Sequence, residues 1–326
     1  MKKPTLLLSL DFELFWGMQD VRSMDDYRAN ILGGREAIPQ LLSLLEKHEV
    51  HATWATVGFI FAADAKEDRR YAPAPALRPT YDVPERSSYR LFEDGQTLLT
   101  DEPDCFFAPE LIRKISETPG MEIGSHTFSH YYCWEPGQTV EQFAADMRSA
   151  QRIAQDHGYD LKSIVLPRNN CVPEYIDVLR DLGFTSFRDL ENDWINQSKT
   201  LPLAVQRLLR LTDVYFPLTG QGGYTPKKEQ GLWNLMGSRM YKPWFRPLFF
   251  LERLKLHRIK RQMLHAAKNG LTFHLWFHPH NIGVRTEEHL AQLEEILSYY
   301  DKLKQQYGMQ SLNMREMAEA LEDDVG

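Results

Sequence analysis

Short apolar runs alternate with amphipathic stretches along most of the chain. The runs TLLLSL at 5–10, ATWATV at 52–57 and LTFHLWF at 271–277 are rich in aliphatic and aromatic residues, which is typical of buried strands. Further predicted strands cover 121–124, 164–166 and 185–187. Apolar residues three and four positions apart predict helices over 34–49, 109–118, 140–158, 173–182, 286–307 and 313–321. Strands that alternate with helices predict an α/β fold with a parallel sheet.

Two segments interrupt this alternation. Residues 62–107 are rich in proline, aspartate and arginine, and residues 220–268 open with a glycine-rich turn and then become basic and aromatic. Both are predicted to be insertions in a single domain that spans 1–326. Connections of this length usually form lids or binding surfaces.

Composition excludes some classes of protein. The chain has 326 residues, of which 43% are hydrophobic, so it can build a core without disulfides. A formal net charge of −7 argues against a nucleic-acid partner. Cys105, Cys133 and Cys171 lie far apart, which predicts reduced thiols. The apolar start of the chain stops at Asp11, and no run approaches the ~20 residues of a membrane span. These features predict a cytoplasmic protein.

Polar residues that bind metals follow two of the predicted strands. Asp11 and Glu13 follow the first, and strand alternation places both on one face while Phe12 points away. His126 and His130 follow the strand at 121–124, and a helical turn would place them on one face, as in zinc sites. Two histidines and one carboxylate complete a catalytic zinc site with an open position for water.

Two further clusters also follow strands, where a parallel sheet gathers its active site. Arg168 follows the strand at 164–166 and could hold a carboxylate in its ionised form. His278 ends the run at 271–277, between His274 and His280. One of these three histidines is predicted to be merely packed or solvated.

In this order the clusters resemble the motifs of the polysaccharide deacetylase family (the NodB-homology fold, carbohydrate esterase family 4), over about residues 5–321. HTFSH at 126–130 matches the family motif H(S/T)xxH at every defined position. SLDFE resembles TFDDG, with Phe12 in place of the second aspartate. PRNN resembles the RxxPG motif only through its arginine, whereas LWFH at 275–278 fits the last motif. The phrases SHTFSHYYCWEP and WFHPHNIG resemble the subgroup associated with lipopolysaccharide and O-antigen biosynthesis.

The resemblance implies a deformed (β/α) barrel of about seven parallel strands, with the site at its C-terminal rim. It implies a divalent metal, zinc with cobalt, nickel or manganese as alternatives, held by Glu13, His126 and His130. Asp11 would be the general base, oriented by Arg168.

The resemblance also implies the remaining roles. His278, tuned by Asp193, would protonate the leaving amine, and a backbone N–H near 169–171 would hold the oxyanion. Trp194, Trp16 and Tyr131 would wall the acyl or sugar pocket.

The function that follows is metal-dependent removal of an N-acetyl group from an amino sugar. Deformylation or cyclic-amide hydrolysis on the same site stays open, as does a catalytically inactive barrel that binds glycan. A cytoplasmic enzyme would meet a nucleotide-sugar, a lipid-linked sugar or another glycan precursor.

The segment 239–268 bears on location. It contains nine Lys or Arg residues and one acid, interleaved with Trp244, Phe245, Phe249 and Phe250. This pattern suits contact with the inner face of an anionic membrane. The alternative is a helix packed on the barrel with a solvated basic face, or a subunit interface.

Overall fold

The structure, a computed structural model, describes residues 3–93, 95–169, 171–191, 193–198, 200–244 and 246–324. Two residues of the sequence predictions lie outside the described residues. They are Asn170, in the segment expected to hold the oxyanion, and Phe245, in the basic aromatic segment.

The described residues form one ten-stranded sheet, with the order β6-β7-β5-β4-β3-β2-β1-β9-β8 and with β10 paired to β1. Neighbouring strands run parallel except β6 and β7. The strands are β1 (Thr5–Phe12), β2 (Ala52–Thr56), β3 (Met121–Ser125), β4 (Ser163–Val165), β5 (Ser186–Arg188), β6 (Lys227–Glu229), β7 (Leu232–Asn234), β8 (Arg239–Met240), β9 (Thr272–Phe277) and β10 (Gln310–Leu312). The predicted α/β class is therefore confirmed.

Helices cover the sheet and connect its strands. They are α1 (Met24–Lys47), α2 (Ala65–Tyr71), α3 (Leu98–Asp101), α4 (Pro109–Ser116), α5 (Val140–Asp156), α6 (Pro173–Asp181), α7 (Trp194–Gln197), α8 (Leu203–Tyr215), α9 (Glu252–Asn269), α10 (Thr286–Tyr307) and α11 (Met314–Asp323). Capping boxes at Thr139 and Asn313 begin α5 and α11, and left-handed glycines at 270 and 308 end α9 and α10. No helix in the described part of the chain is long and apolar enough to cross a membrane.

Strand β1 is the centre of the fold. All eight of its residues are buried, and it pairs with β2, β9 and β10. A parallel strand covered on both faces is expected to be mostly apolar, as TLLLSL is. The polar residues at the end of β1 are therefore held in a rigid, water-poor part of the molecule.

The two predicted insertions differ from each other. Among the residues described, 62–107 contains short helices and helical turns and no strand. The segment 220–268 adds to the sheet instead, because β7 pairs with β5, β8 pairs with β9, and α9 packs on α10. That both segments are insertions in a single domain stays a prediction. Strands of two and three residues are too short to show alternation, which is why the sequence did not predict them.

Helix α1 begins at Met24, ten residues before the start predicted at Gly34. The glycine pair inside it, Gly33 and Gly34, suggests a helix boundary in the sequence, but it serves close packing instead. The helix lies against the turn at Pro279–Ile282, which carries His280. A Cβ atom on Gly33 would come within 2.0 Å of the backbone oxygen of Gly283. Glycine is required here by the approach of two backbones, and its low helix propensity is the cost.

The substitution Gly33→Ala should therefore destabilise the protein by about 1–3 kcal/mol, the usual range for overpacking. Chemical denaturation measures this loss. Gly220→Ala is the matched control, because a Cβ atom there meets nothing within 4 Å, and the expected change is within about 0.5 kcal/mol. A gain of stability in Gly33→Ala, as helix propensity alone would give, contradicts the packing argument.

Candidate active site

Two buried carboxylates lie at the end of β1. Asp11 belongs to the strand, and Glu13 follows it where the chain turns, with Leu14 at a φ of 46°. The Glu13 side chain lies over Gly17, where a Cβ atom would come within 2.1 Å of the Glu13 Cδ atom. A glycine at position 17 is therefore what lets this carboxylate fold back toward the sheet.

The histidine pair lies in a loop after β3, so the predicted helical turn at 126–130 is wrong. Thr127 and His130 have left-handed φ angles of 65° and 57°. Asp146 of α5 fixes this shape, since its carboxylate accepts hydrogen bonds from the Phe128 N–H at 2.8 Å and the Ser129 hydroxyl at 2.5 Å. Burial raises the pKa of Asp146 to about 6, against the effect of these hydrogen bonds. The two histidines converge through loop geometry rather than through helical spacing.

Glu13, His126 and His130 form one buried cluster, with ligand atoms all within 4.8 Å of one another. Glu13 Oε2 lies 3.1 Å from His130 Nε2 and 3.3 Å from His126 Nε2. His126 Nδ1 lies 2.7 Å from the Val165 carbonyl oxygen, so Nδ1 carries a hydrogen and Nε2 is the nitrogen that faces Glu13. Either a proton, as in a hydrogen bond to the carboxylate, or a metal cation must lie between Nε2 and the carboxylate oxygen. The donor set and its geometry fit a divalent metal ion.

The electrostatics of the cluster also fit metal ligation. Burial alone would raise the pKa of Glu13, but the charge of His278 and hydrogen bonds from His126 and His130 hold it well below its ordinary value. Burial lowers the pKa of His130. An ionised carboxylate and a neutral imidazole are the forms that bind metals.

Asp11 is held by an arginine that the sequence analysis did not select. Arg188 Nη2 donates to Asp11 Oδ2 at 2.7 Å, and its other nitrogens donate to Ser9 at 2.7 Å and Asn169 at 2.9 Å. The guanidinium carbon lies 4.3 Å from the ring centre of Trp276. Burial raises the pKa of Asp11, but the charges of Arg188, His278 and His126 outweigh it and leave the pKa below the ordinary value.

His278 lies between the two carboxylates. Its Nε2 atom is 3.6 Å from Asp11 Oδ2 and 3.6 Å from Glu13 Oε1. His280 stacks on His278 with ring centres 5.0 Å apart, and burial, followed by the charge of His278, lowers its pKa to about 3. His274 is the packed histidine that was expected, since it lies 2.8 Å from the Ser9 hydroxyl and 2.9 Å from the Leu235 carbonyl oxygen.

These groups open into one cavity of about 440 Å³. Its walls also carry charged side chains from later in the chain, together with several apolar ones. The lining residues beyond the cluster include Asp20, Tyr27, Tyr132, Arg168, Glu191, Asp193, Arg210, Asp213, Arg239, Met240, Lys242 and Trp276. The cavity is large enough for a sugar-sized ligand.

Comparison with known proteins identifies the family. The family model described as polysaccharide deacetylase matches residues 24–187, about half of the chain. The chain belongs to the polysaccharide deacetylase family. The matched range contains His126 and His130, whereas Asp11, Glu13 and His278 lie outside it.

Solved structures share the fold of this polysaccharide deacetylase family member. A candidate polysaccharide deacetylase from Mycobacterium smegmatis is 14% identical, with a TM-score of 0.63, over 99% of this chain and 91% of its own. Puue allantoinase is 12% identical, with a TM-score of 0.58, over 97% and 89% of the two chains. These likenesses support the expected NodB-type fold, although the sheet is not closed by the pairings described. No curated protein sequence matches the chain significantly.

Two residues expected to tune the catalytic groups of the deacetylase site are placed elsewhere. Arg168 has a φ of 61°, which turns its side chain outward to Asp20 and Glu135, both at 2.9 Å. Arg188 takes the place beside Asp11 that was expected for Arg168. Asp193 accepts hydrogen bonds from the first N–H groups of α7, and its carboxylate is used as that cap rather than as a partner of His278.

The three aromatic residues expected to wall the pocket do not line it. Trp16 is fully buried and donates to the Phe106 carbonyl oxygen, and the Tyr131 hydroxyl donates to Gln138. Trp194 is exposed at the surface and donates to the Leu218 carbonyl oxygen. Tyr132 and Trp276 line the cavity instead.

Replacing Arg188 by glutamine should raise the pKa of Asp11, because burial would then act on this carboxyl without its cationic partner. In the wild type, the lowered pKa means that ionised Asp11 stabilises the fold above its ordinary pKa, and that this contribution is lost as the pH falls through the lowered value. The variant should lose about 3–5 kcal/mol of stability at neutral pH. The acidic limb of kcat/KM should shift to higher pH.

Arg168→Gln is the matched control, since Arg168 contacts Asp20 and Glu135 and not Asp11. Its acidic limb should stay in place. A shift of the acidic limb in Arg168→Gln but not in Arg188→Gln would show that Arg168, and not Arg188, acts on Asp11.

Proposed function

We propose that this family member is a metal-dependent amide hydrolase that removes an N-acetyl group from an amino sugar. The observation that carries the proposal is the buried cluster of Glu13, His126 and His130, with Asp11 and His278 beside it at the floor of one cavity. These five groups are the ligands, base and acid that such a reaction needs.

Glu13, His126 and His130 would hold the ion, and one carboxylate with two histidines favours zinc among divalent metals. When bound, a divalent ion supplies Lewis-acid polarisation of the amide carbonyl and lets water act as a nucleophile at neutral pH. The three protein ligands leave room in the cavity for water and for the acyl group.

Asp11 would act as the base through one particular atom. Its Oδ2 atom is occupied by Arg188, whereas Oδ1 is buried and has no hydrogen-bond partner among the described residues. The lowered pKa keeps the carboxylate ionised, so Oδ1 is ready to accept the proton of the attacking water.

His278 would act as the acid. It would do so as the imidazolium, because a neutral imidazole that gave up its one N–H proton would leave an imidazolate. Its Nε2 atom lies 3.6 Å from Asp11 Oδ2 and from Glu13 Oε1, so this N–H faces the floor of the cavity, where the leaving amine of an amide would lie, and the ring is neutral after the transfer. The Asn281 side chain, rather than Asp193, lies beside the ring, with its amide group 3.2 Å from Nδ1.

Finer features belong to the same proposal. They are a single domain over 1–326, a cytoplasmic location at or near the membrane, and a role in lipopolysaccharide biosynthesis. The amino sugar that loses its acetyl group would be linked to a nucleotide, a lipid or another glycan. A deformylase or cyclic-amide hydrolase would use the same groups, and the released product distinguishes these reactions.

The decisive experiment measures metal content and acetate release together. Protein treated with a chelator should release no acetate from N-acetylated amino sugars, and zinc, cobalt, nickel or manganese should restore the release. Formate release from N-formyl substrates alone would favour a deformylase. Full activity in protein shown to be metal-free would refute metal dependence, and a lack of release from every substrate class would favour a binding module.

Glu13 and Asp11 should separate metal binding from proton transfer. Glu13→Gln should lose metal affinity by more than about 100-fold, since even outer-shell partners change it by 10–100-fold. Asp11→Asn should keep its metal and lose turnover by roughly 10²–10⁴-fold. Asp193→Asn is the control, because that carboxylate caps α7 and should affect neither quantity strongly. Metal loss in Asp11→Asn with retention in Glu13→Gln would reverse the assignment.

A further inference from the structure

Large apolar side chains are exposed on α7 and α8, in the turn at Arg246–Leu251 and at the start of α9. Leu208, Phe249 and Phe250 are exposed to 63%, 61% and 65%. This apolar surface consists of Trp194, Leu203, Leu208, Leu211, Phe216, Leu218, Phe249, Phe250 and Leu254. A large group of exposed apolar side chains on a protein usually marks a contact surface.

Contacts show that these residues are neighbours. Helix α8 packs on both α7 and α9, and the turn at Arg246–Leu251 packs on α9. The indole N–H of Trp194 donates to the Leu218 carbonyl oxygen, and Phe216 and Leu254 line the same small hollow. The exposed apolar residues thus belong to elements that pack on one another.

The exposed charges on α8 and α9 beside this surface are positive, whereas Asp193, which precedes Trp194, is used as the cap of α7. Within 203–218 and 246–268 the only acids are Asp213 and Glu252, and both are buried in ion pairs. Arg207, Arg253 and Arg261 are exposed beside the apolar residues. A chain with a net charge of −7 therefore presents a local surface that is apolar and positive. This combination suits an anionic bilayer, where aromatic side chains enter the interface and arginines meet lipid phosphates.

A second copy of the chain is a poorer occupant. In a two-fold dimer the same surface of each subunit would face the other, which would bring the arginines of one copy against those of its partner. Like charges without carboxylates between them oppose such an interface. An anionic membrane turns the same charges into an attraction.

The apolar surface borders the active-site cavity. Helix α8 contributes Arg210 and Asp213 to the cavity wall, while Leu208 and Leu211 of the same helix are exposed. Arg239 and Lys242 line the cavity beside Arg210. Lys242 has no hydrogen bond or ion pair from its amino group in the part of the chain that the structure describes. Of the carboxylates on the same wall, Asp213 is paired with Arg239 and Arg258, and Glu191 accepts from the Met240 N–H. Arg210 and Lys242 are therefore the cations of this wall that would meet a phosphate group.

From these observations we infer that the apolar surface docks on an anionic membrane, and that the amino sugar in the cavity is linked through phosphate to a lipid. The second half of this inference rests on the proposed function. Docking would place the mouth of the cavity at the level of the lipid phosphates, where the sugar of a lipid-linked precursor lies. The cations of the cavity wall would then hold the linking phosphate while the N-acetyl group reaches Glu13 and Asp11.

Vesicle binding tests the docking directly and needs no activity. The protein should bind vesicles of phosphatidylcholine with phosphatidylglycerol, and added salt should weaken the binding. Phe249→Glu/Phe250→Glu should lower vesicle affinity by roughly tenfold or more. Leu77→Glu/Val83→Glu is the matched control, because these residues are also exposed, to 42% and 40%, and lie in the segment 62–107. The control should bind as the wild type does.

Several results would overturn the docking. They are equal affinity for vesicles of phosphatidylcholine alone, unchanged affinity in the Phe249→Glu/Phe250→Glu variant with an unchanged melting temperature, and a stable dimer that this variant dissociates. The dimer would make the surface a subunit interface.

The carrier is tested with three N-acetylglucosamine substrates: a polyprenyl phosphate ester in anionic vesicles, a nucleoside diphosphate ester and a neutral oligomer. We expect kcat/KM for the lipid phosphate to exceed the others by roughly tenfold, and Lys242→Met to raise KM for the phosphate esters but not for the neutral oligomer. An equal or higher kcat/KM for the nucleotide ester would overturn the lipid carrier. Inactivity on all three would refute the proposed function and its carrier, while docking would be judged on vesicle binding alone.

Discussion

The structure of the site depends on the burial of two carboxylates at the end of one strand. Moving an ionised carboxylate out of water costs several kcal/mol unless cations or hydrogen-bond donors replace the water. Asp11 is compensated by Arg188, and Glu13 by His126 and His130. The two solutions have different consequences, because a guanidinium fixes a charge permanently, whereas imidazole nitrogens leave lone pairs that a metal can use.

The arginine and the histidines that compensate these carboxylates are themselves held by further hydrogen bonds, which connect the loops of the site to the sheet. Arg188 places its remaining donors on Ser9 and Asn169, and His126 is oriented by the Val165 carbonyl oxygen. The histidine loop is shaped by Asp146. The site therefore requires β1, β3, β4, β5 and α5 together, so its geometry is set by the tertiary fold and not by any single motif.

Backbone strain is concentrated at the same place. Of the non-glycine residues described with positive φ, five lie in the loops of the site: Leu14, Thr127, His130, Arg168 and Asn169. Such conformations cost of order 1–3 kcal/mol each and persist only where surrounding contacts enforce them. Here they turn the chain so that Glu13 and His130 face each other rather than solvent.

The sequence predicted those parts of the site that are local. SLDFE and HTFSH stand out because their functional residues are close in the chain and follow strands that are long enough to recognise. The choice between Arg168 and Arg188 could not be made in this way, since Arg188 ends one short strand and Arg168 closely follows another, and only the left-handed φ of Arg168 turns it outward. Arg188 directly follows the predicted strand at 185–187, so its position at a strand end is the signal in the sequence that marks it.

Other predictions from the sequence were wrong because the residues concerned pack in the core or in close contacts between elements. Trp16 and Tyr131 lie beside the motifs of the site in the sequence, but both are buried in the core, where their rings pack on Phe106 and Phe143. Strands β7 and β8 were missed because two or three residues cannot show a period. The start of α1 was missed because Gly33 and Gly34 suggest a break, although they serve a close contact.

Helix α8 was also not predicted, and the reason bears on function. A helix on the surface of a soluble protein usually has one apolar face toward the core and a polar face toward water. In α8, Val214 faces the cavity and Tyr215 is buried, yet Leu208 and Leu211 are exposed, so apolar residues lie on more than one face and the period is obscured. Exposure of these apolar side chains to water is unfavourable, whereas their contact with lipid would remove them from water. The same feature that hid α8 from the periodicity therefore favours a lipid surface at the mouth of the active site.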